Sequence, residues 1–270
     1  MGKFSYEVLF HPGNYFTKAQ LDQLTSDLRS IASDCFDEIP YYQTLTGKRD
    51  EYKRAIISLA RDKDKKIVGF CSSLVLEIPT VGDVLHLGLT CASPKARGKK
   101  LTHKLTSKLL TQYLLKEAPF DGAWVTNCAC VLSSLGNVAL YFEDIYPSPF
   151  GAKKPTGHHL NIAKGISKFH RAPIAINHDA KLNEQTFIFE GSVKDAVFEK
   201  SAHDSRFHHR NKEITHYYQS IMNFERGDEV LQVGKVSMLT LPKYFFKQAI
   251  RKVKRSAREF QNSPEEYVTE

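Results

Sequence analysis

The segment Thr90-Cys91-Ala92-Ser93-Pro94-Lys95-Ala96-Arg97-Gly98-Lys99-Lys100-Leu101-Thr102 joins an apolar run to a helical one through a basic turn. Residues 83–91 read as a strand, and Leu101, Leu105, Leu109 and Tyr113 repeat at helical spacing over 101–116. A strand end, a tight turn and a helix start aim several backbone N–H groups at one spot, because the first turn of a helix leaves its amides without partners. Such a spot receives an anion, a phosphate or pyrophosphate above all. Arg97, Lys99 and Lys100 add full positive charge. An ordinary βα connection with a solvated basic turn has the same residue types, so the neighbouring elements must decide between the two.

Those elements are readable in part. Residues 6–10 alternate as a first strand, and Thr17 is placed to cap a helix to about 38, with Leu21, Leu24, Leu28 and Ile31 on one stripe. Residues 52–60 and 67–78 read as a hairpin with the charged tip Arg61-Asp62-Lys63-Asp64-Lys65-Lys66. After the central helix, 122–130 reads as a buried strand, and Ser133 or Ser134 is placed to cap a short helix through Phe142. Residues 150–185 show no steady period and read as an insertion or long loop; 186–189 and 229–241 read as strands. The expected fold is α+β (mixed α/β), a central mixed sheet flanked by helices, over 1–241, with 146–228 as a long insertion or substrate-side elaboration.

The chain has 270 residues, is 41% hydrophobic and 25% charged, and carries a formal charge of +8, as a globular protein does that needs no staple for its core. No apolar run reaches the roughly 18 residues of a spanning helix, and the start lacks a signal-like apolar region. The five cysteines, Cys35, Cys71, Cys91, Cys128 and Cys130, are odd in number and mostly set in apolar runs, which points to reduced thiols and a cytoplasmic location. Most of the eleven histidines lie beyond residue 150, at spacings that match no helical metal pair, so no metal site is expected. Between Lys235 and Arg258 the basic residues Lys235, Lys243, Lys247, Arg251, Lys252, Lys254, Arg255 and Arg258 meet no acidic one. Residues 242–270 therefore read as a basic amphipathic C-terminal helix and tail. Its apolar stripe (Phe246, Ile250, Val253, Ala257, Phe260) would dock on the core, and its cationic face could engage nucleic acid or an acidic partner.

Helix, long hairpin, strand, basic turn, helix, strand and short helix, in that order over residues 4–146, resembles the GNAT acyltransferase superfamily. In that superfamily an Arg/Gln-x-x-Gly-x-Gly/Ala turn cradles the pyrophosphate of acyl-CoA. The matching text here is Arg97-Gly98-Lys99-Lys100-Leu101-Thr102, with Lys100 and Thr102 standing at the two glycine positions. The segment Leu140-Tyr141-Phe142-Glu143-Asp144-Ile145-Tyr146 is similar to the family's Leu-Tyr-x-x-x-Gly-Phe, with Ile145 and Tyr146 replacing the last two residues and Ser134 standing where an asparagine is common.

The resemblance implies an N-acyltransferase that moves an acetyl or other acyl group from acyl-CoA to an amine, in a small molecule or protein, by direct transfer in a ternary complex. It implies cofactor contacts from Cys91, Ala92, Arg97, Gly98, Lys99, Lys100, Leu101 and Thr102. Backbone amides around Cys91 and Ala92 would polarise the thioester carbonyl. Tyr141 falls on the tyrosine that protonates the departing thiolate. For a base, His86 is the candidate, on the strand face opposite Leu85 and Leu87; Asp83 and Glu77 are weaker ones. Cys91 reads better as a buried thiol than as a nucleophile. The departures at Lys100 and Thr102 leave a second reading open: a GNAT-like binding module, weak or inactive as a catalyst, that uses its basic C-terminal helix.

Overall fold

The computed structural model describes residues 4–96, 99–151 and 153–239. Among these, nine strands form one sheet in the order β1-β2-β3-β4-β5-β9-β8-β7, with β6 paired to β9 as well. The strands are β1 (Ser5–Phe10), β2 (Ala55–Arg61), β3 (Ile67–Ile78), β4 (Gly82–Ala92), β5 (Ala123–Ala129), β6 (Glu143–Tyr146), β7 (Lys181–Asn183), β8 (Ile188–Glu190) and β9 (Glu229–Val236). The helices are α1 (Lys18–Ser33), α2 (Arg49–Arg54), α3 (Leu101–Glu117), α4 (Leu132–Tyr141), α5 (Gly157–Phe169) and α6 (Lys212–Ile221). The fold is α+β, and the pairing of β4 with β5 is its one parallel ladder among the described residues. A parallel pair needs a crossover connection, and α3 provides it.

Local chemistry sets the elements. Thr17 caps α1 in a capping box: its hydroxyl accepts from the Gln20 amide at 3.2 Å while the Gln20 side chain accepts from the Thr17 amide at 2.8 Å. Period two along β2 sends Ile56 to one face of the sheet and Ile57 and Leu59 to the other. On the first face α3 packs Leu101, Leu105 and Leu109 against Ile56, Leu85 and Val125. On the second, α1 and α5 pack Leu24, Leu28, Ile162 and Ile166 against Leu59, Phe70 and Leu76.

Several sequence expectations change. Residues 49–54 form α2, so the hairpin's first strand starts at Ala55. The cap position of α4 is Val131, with no side-chain bond, rather than Ser133 or Ser134. The stretch 150–185 is no long loop: it holds α5 and β7, and α6 follows further on. The α5 start escaped notice because its capping box pairs Thr156 with His159, where the usual third residue is Glu or Gln. Helix α6 stacks on α4, and β7 and β8 extend the sheet beyond β9. The C-terminal basic helix lies outside the described residues. No helix among the described residues is long and apolar enough to cross a membrane.

One irregularity positions the site. The β3–β4 ladder steps from Cys71/Thr90 to Ser73/Leu87, so β4 carries one extra residue there, a β-bulge. Gly88 lies in it, and a Cβ on Gly88 would collide with the side-chain amide of Gln43. That amide cannot easily move: its oxygen accepts from Ser72 Oγ at 2.9 Å and its nitrogen donates to Tyr42 Oη at 3.0 Å, all within the core. Gly88→Ala is therefore expected to destabilise the protein by about 1–3 kcal/mol, through overpacking or a broken buried hydrogen bond. Thermal unfolding checks this; an unchanged midpoint contradicts it.

Candidate active site

The β4–β5 ladder runs only from Val84/Trp124 to Leu87/Asn127. Beyond it β4 continues with β3 to Ala92 and β5 continues with β9 to Ala129, so the two strands part. A cavity of about 440 Å³ fills the gap. Gly88, Leu89 and Thr90 line one side of it and Cys128, Ala129 and Cys130 the other. The slot reaches both faces of the sheet. On the α3 face it is walled by Thr102, His103, Thr106 and Ser107 of α3 and by Ser134, Asn137, Val138 and Tyr141 of α4. Each set follows one face of its helix, three or four residues apart. Toward the other face it meets Phe36, Tyr42, Ile174, Phe198, Lys200 and Glu229.

Strand parting leaves backbone groups without sheet partners. Ser93 donates its amide to the Val68 carbonyl at 3.0 Å. Bonded and non-bonded pairs alternate along an antiparallel ladder, so Phe70–Cys91 is the next bonded pair. The amide of Cys91 is thus committed to β3, and those of Ala92 and Thr90 turn toward the vacated β5 side. This corrects the expectation for Cys91, which is buried and absent from the cavity wall. Its thiol is pushed far up, first by a hydrogen bond with the Cys35 thiol and then by burial, so it is no nucleophile. Ala92 likewise lies outside the cavity wall, one residue beyond Cys91.

The basic turn before α3 is described in part. Arg97 and Gly98 lie outside the described residues. Lys100 holds the N-cap of α3 at φ 55°, ψ 33°, the left-handed region, with no side-chain cap and no acidic residue in the first helical turn. The backbone thus takes the conformation that favours glycine although the residue is lysine. Lys99 and Lys100 are exposed, Lys99 with its ammonium 5.1 Å from the Phe4 ring centre. Leu101 is buried in the α3 core and offers only its amide. Thr102 lines the cavity without closing it.

Tyr141 stands in the cavity wall, 8% exposed, on the same side as Thr102. His86 does not reach it. It is 0% exposed, its Nδ1 is 2.9 Å from Thr126 Oγ1, and its Nε2 is 3.5 Å from Tyr42 Oη. Burial, then the nearby His170, holds its pKa down to about 3, so it stays neutral behind Tyr42. Asp83 lines a separate cleft of about 340 Å³ with His11 and Tyr113, and Glu77 is exposed near the same end of the sheet. Two of the later histidines serve the fold: His159 caps α5 and packs on Trp124, and His208 bonds the Ala202 carbonyl at 2.8 Å.

The group the sequence reading missed is Glu229. This carboxylate opens β9, is 7% exposed and lines the slot. Ser192 Oγ donates to its Oε2 at 2.7 Å, and the Cys128 thiol bonds it too. Burial outweighs both bonds and raises its pKa to about 7. Asn127, the last residue of the β4–β5 ladder, also lines the slot; its amide donates to Gln232 Oε1 at 3.0 Å. Little in the sequence marked it: Glu229 follows Arg226-Gly227-Asp228 at the polar start of the strand, and Gln232 alone breaks the apolar stretch 230–233.

No family model matches the sequence, and no curated protein resembles it significantly. Solved structures overlap it in part. An acyl-CoA N-acyltransferase from Pseudomonas aeruginosa is 19% identical over 50% of this chain and 86% of its own, with a TM-score of 0.37. A GNAT family N-acetyltransferase from Escherichia coli, in complex with CoA, is 15% identical over 53% and 69%, with a TM-score of 0.35. An aminoglycoside acetyltransferase from an uncultured soil metagenomic sample is 18% identical over 45% and 76%, with a TM-score of 0.33. The order of elements and the mixed sheet are those that the resemblance to the GNAT superfamily implies.

If Lys100 is held in a glycine-type conformation, Lys100→Gly removes a strain of about 1–2 kcal/mol against a smaller entropic loss. The variant is expected to melt no lower than the parent, and Lys100→Val lower by about 1 kcal/mol or more. A melting point that falls on Lys100→Gly contradicts the assignment.

Proposed function

We propose that this protein is an acyl-CoA-dependent N-acyltransferase whose site is the slot between β4 and β5. The observation that carries the reading is the parting of these strands beside an uncapped, cation-flanked helix start, with a carboxylate of near-neutral pKa at the far end. The residues fit an acyl-CoA. The amides of the first turn of α3, with Lys99, Lys100 and Arg97, suit a pyrophosphate. The hydroxyl and amide side chains of α3 and α4 line a passage wide enough for a thioester arm.

Bound there, acyl-CoA supplies the activated acyl group. The amide of Thr90, which lines the slot, would stabilise negative charge on the carbonyl oxygen, with that of Ala92 next beyond it, as preorganised donors do. Glu229, ionised, accepts the proton that the amine gives up when it attacks. Tyr141 donates its phenolic proton to the departing thiolate, the role implied by the resemblance. The acyl carbon passes directly from sulfur to nitrogen, since the thiols that line the slot, Cys71, Cys128 and Cys130, are held protonated by burial, and Cys91 behind it by its bond with Cys35 and by burial. The reading as a binding module gains no support, because the basic C-terminal helix it depends on falls outside the described residues.

Calorimetric titration with acetyl-CoA and CoA tests the proposal; no binding at about millimolar ligand overturns it. Tyr141→Phe is expected to lower kcat about 10-fold or more and leave CoA affinity nearly intact; a parental kcat contradicts the general-acid role.

The pH dependence has a definite sign. A base must be ionised, and the raised pKa of Glu229 makes its ionised fraction grow as pH climbs through about 7. The rate should therefore rise through that range and level above it. Glu229→Gln should lower kcat about 100-fold and remove that limb, measured with the same acceptor so that the acceptor's own titration cancels. A parental pH profile in the variant contradicts the assignment.

A further inference from the structure

The half of the slot away from α3 has its own chemistry. Phe198 stands edge-on to two rings, Phe36 at 6.0 Å and 89° and Tyr42 at 5.4 Å and 73°. Cys130 fixes this segment by donating its thiol to the Phe198 carbonyl at 3.0 Å. The Tyr42 hydroxyl is engaged by Gln43 and His86, away from the cavity. Lys200 is engaged by the Val197 and Glu199 carbonyls at 3.3 and 3.0 Å and lies over the Phe207 ring. Among the described lining residues Glu229 is the one carboxylate.

We infer, on the reading that acyl transfer takes place in this slot, that the acceptor is an arylalkylamine: one primary amine on a short chain ending in an aromatic ring. Its ring packs among Phe36, Tyr42 and Phe198, and its nitrogen lies at Glu229. Three observations carry the choice. Aromatic side chains favour an aromatic body by edge-to-face packing and attract an ammonium by their ring faces. One buried carboxylate balances one ammonium, whereas a polyamine or aminoglycoside would leave further charges desolvated and unpaired beside Lys200. A cavity of about 440 Å³, shared with a thioester arm, has room for a small amine rather than a peptide segment. The same enclosure suits the chemistry. An ammonium taken out of water loses its proton more readily, and Glu229 stands ready to receive it. Once Glu229 has passed that proton to solvent, the neutral nitrogen attacks the acyl carbon and gives its second proton to Glu229, the carbon–sulfur bond breaks, and the sulfur takes the Tyr141 proton; amide and free thiol are the products, and the proton held by Glu229 restores the Tyr141 phenol.

The test uses the full chain, acetyl-CoA and thiol release, with 2-phenylethylamine, spermidine and a lysine-containing peptide as acceptors. Expected is a kcat/KM for 2-phenylethylamine at least about 10-fold above the other two. Phe198→Ala should raise its KM about 10-fold and leave acetyl-CoA affinity unchanged. Should Phe198→Ala not fold, Phe36→Leu is expected to act in the same direction. Preference for spermidine or the peptide overturns the inference, as does an unchanged KM in the folded variant. Calorimetric binding of 2-phenylethylamine separates the two levels. If it binds in a manner dependent on Phe198 but no acyl transfer occurs, the transferase reading fails, the acceptor assignment falls with it, and an arylalkylamine-binding site is what remains. If acetyl-CoA binds and 2-phenylethylamine does not at about 10 mM, the acceptor assignment fails alone.

Discussion

The structure depends on the point where two parallel strands cease to pair. After Leu87 and Asn127, β4 and β5 separate inside an otherwise continuous sheet. Buried backbone amides that lose a strand partner are costly unless something else satisfies them. Here Thr90 lines a cavity where a neighbouring strand would otherwise stand. A protein that keeps such a gap at the middle of its sheet has a ready place for a polar ligand, and the rest of the fold holds that gap open. The bulge around Gly88 re-aims β4, Gln43 wedges against the bulge, and the buried pair Asn127–Gln232 fixes β5 against β9.

The two faces of the sheet then divide the work. On one face α3 and α4 bring polar, short side chains and the uncapped start of α3, suited to a phosphorylated donor. On the other, the segment after α1 and the residues between β6 and β9 bring aromatic rings, and β9 brings Glu229 at its start. The span 147–228 is thus part of the domain's structure. It supplies α5 to the core, α6 to the packing of α4, two strands to the sheet edge and Phe198 to the cavity.

Much of the first half was legible because its signals are local. Leucines at helical spacing, the Thr17–Gln20 cap and alternating strands mark α1, β1 and α3, and the basic turn marks the start of α3. Of the site residues expected from the sequence, Thr102 and Tyr141 stand in the cavity wall. The opposite wall was not legible, for physical reasons. Glu229 becomes a candidate base only through burial and the approach of Ser192 and Cys128, far apart in sequence. His86 looked accessible from strand alternation, yet α-helical and loop segments cover the face it occupies, and burial holds it neutral. Lys100 departs from glycine in residue type while its backbone keeps the glycine-type conformation, which no residue identity announces.

On the proposed function, the acyl donor sits against the backbone exposed where β4 and β5 part. Amide hydrogen exchange with and without CoA tests it most directly. Slowed exchange should concentrate at residues 88–92 and in the first turn of α3, with β1, β7 and the cleft beside Trp124 unchanged. Binding that protects the Trp124 cleft, or leaves 88–92 and the start of α3 unaltered, would contradict the account.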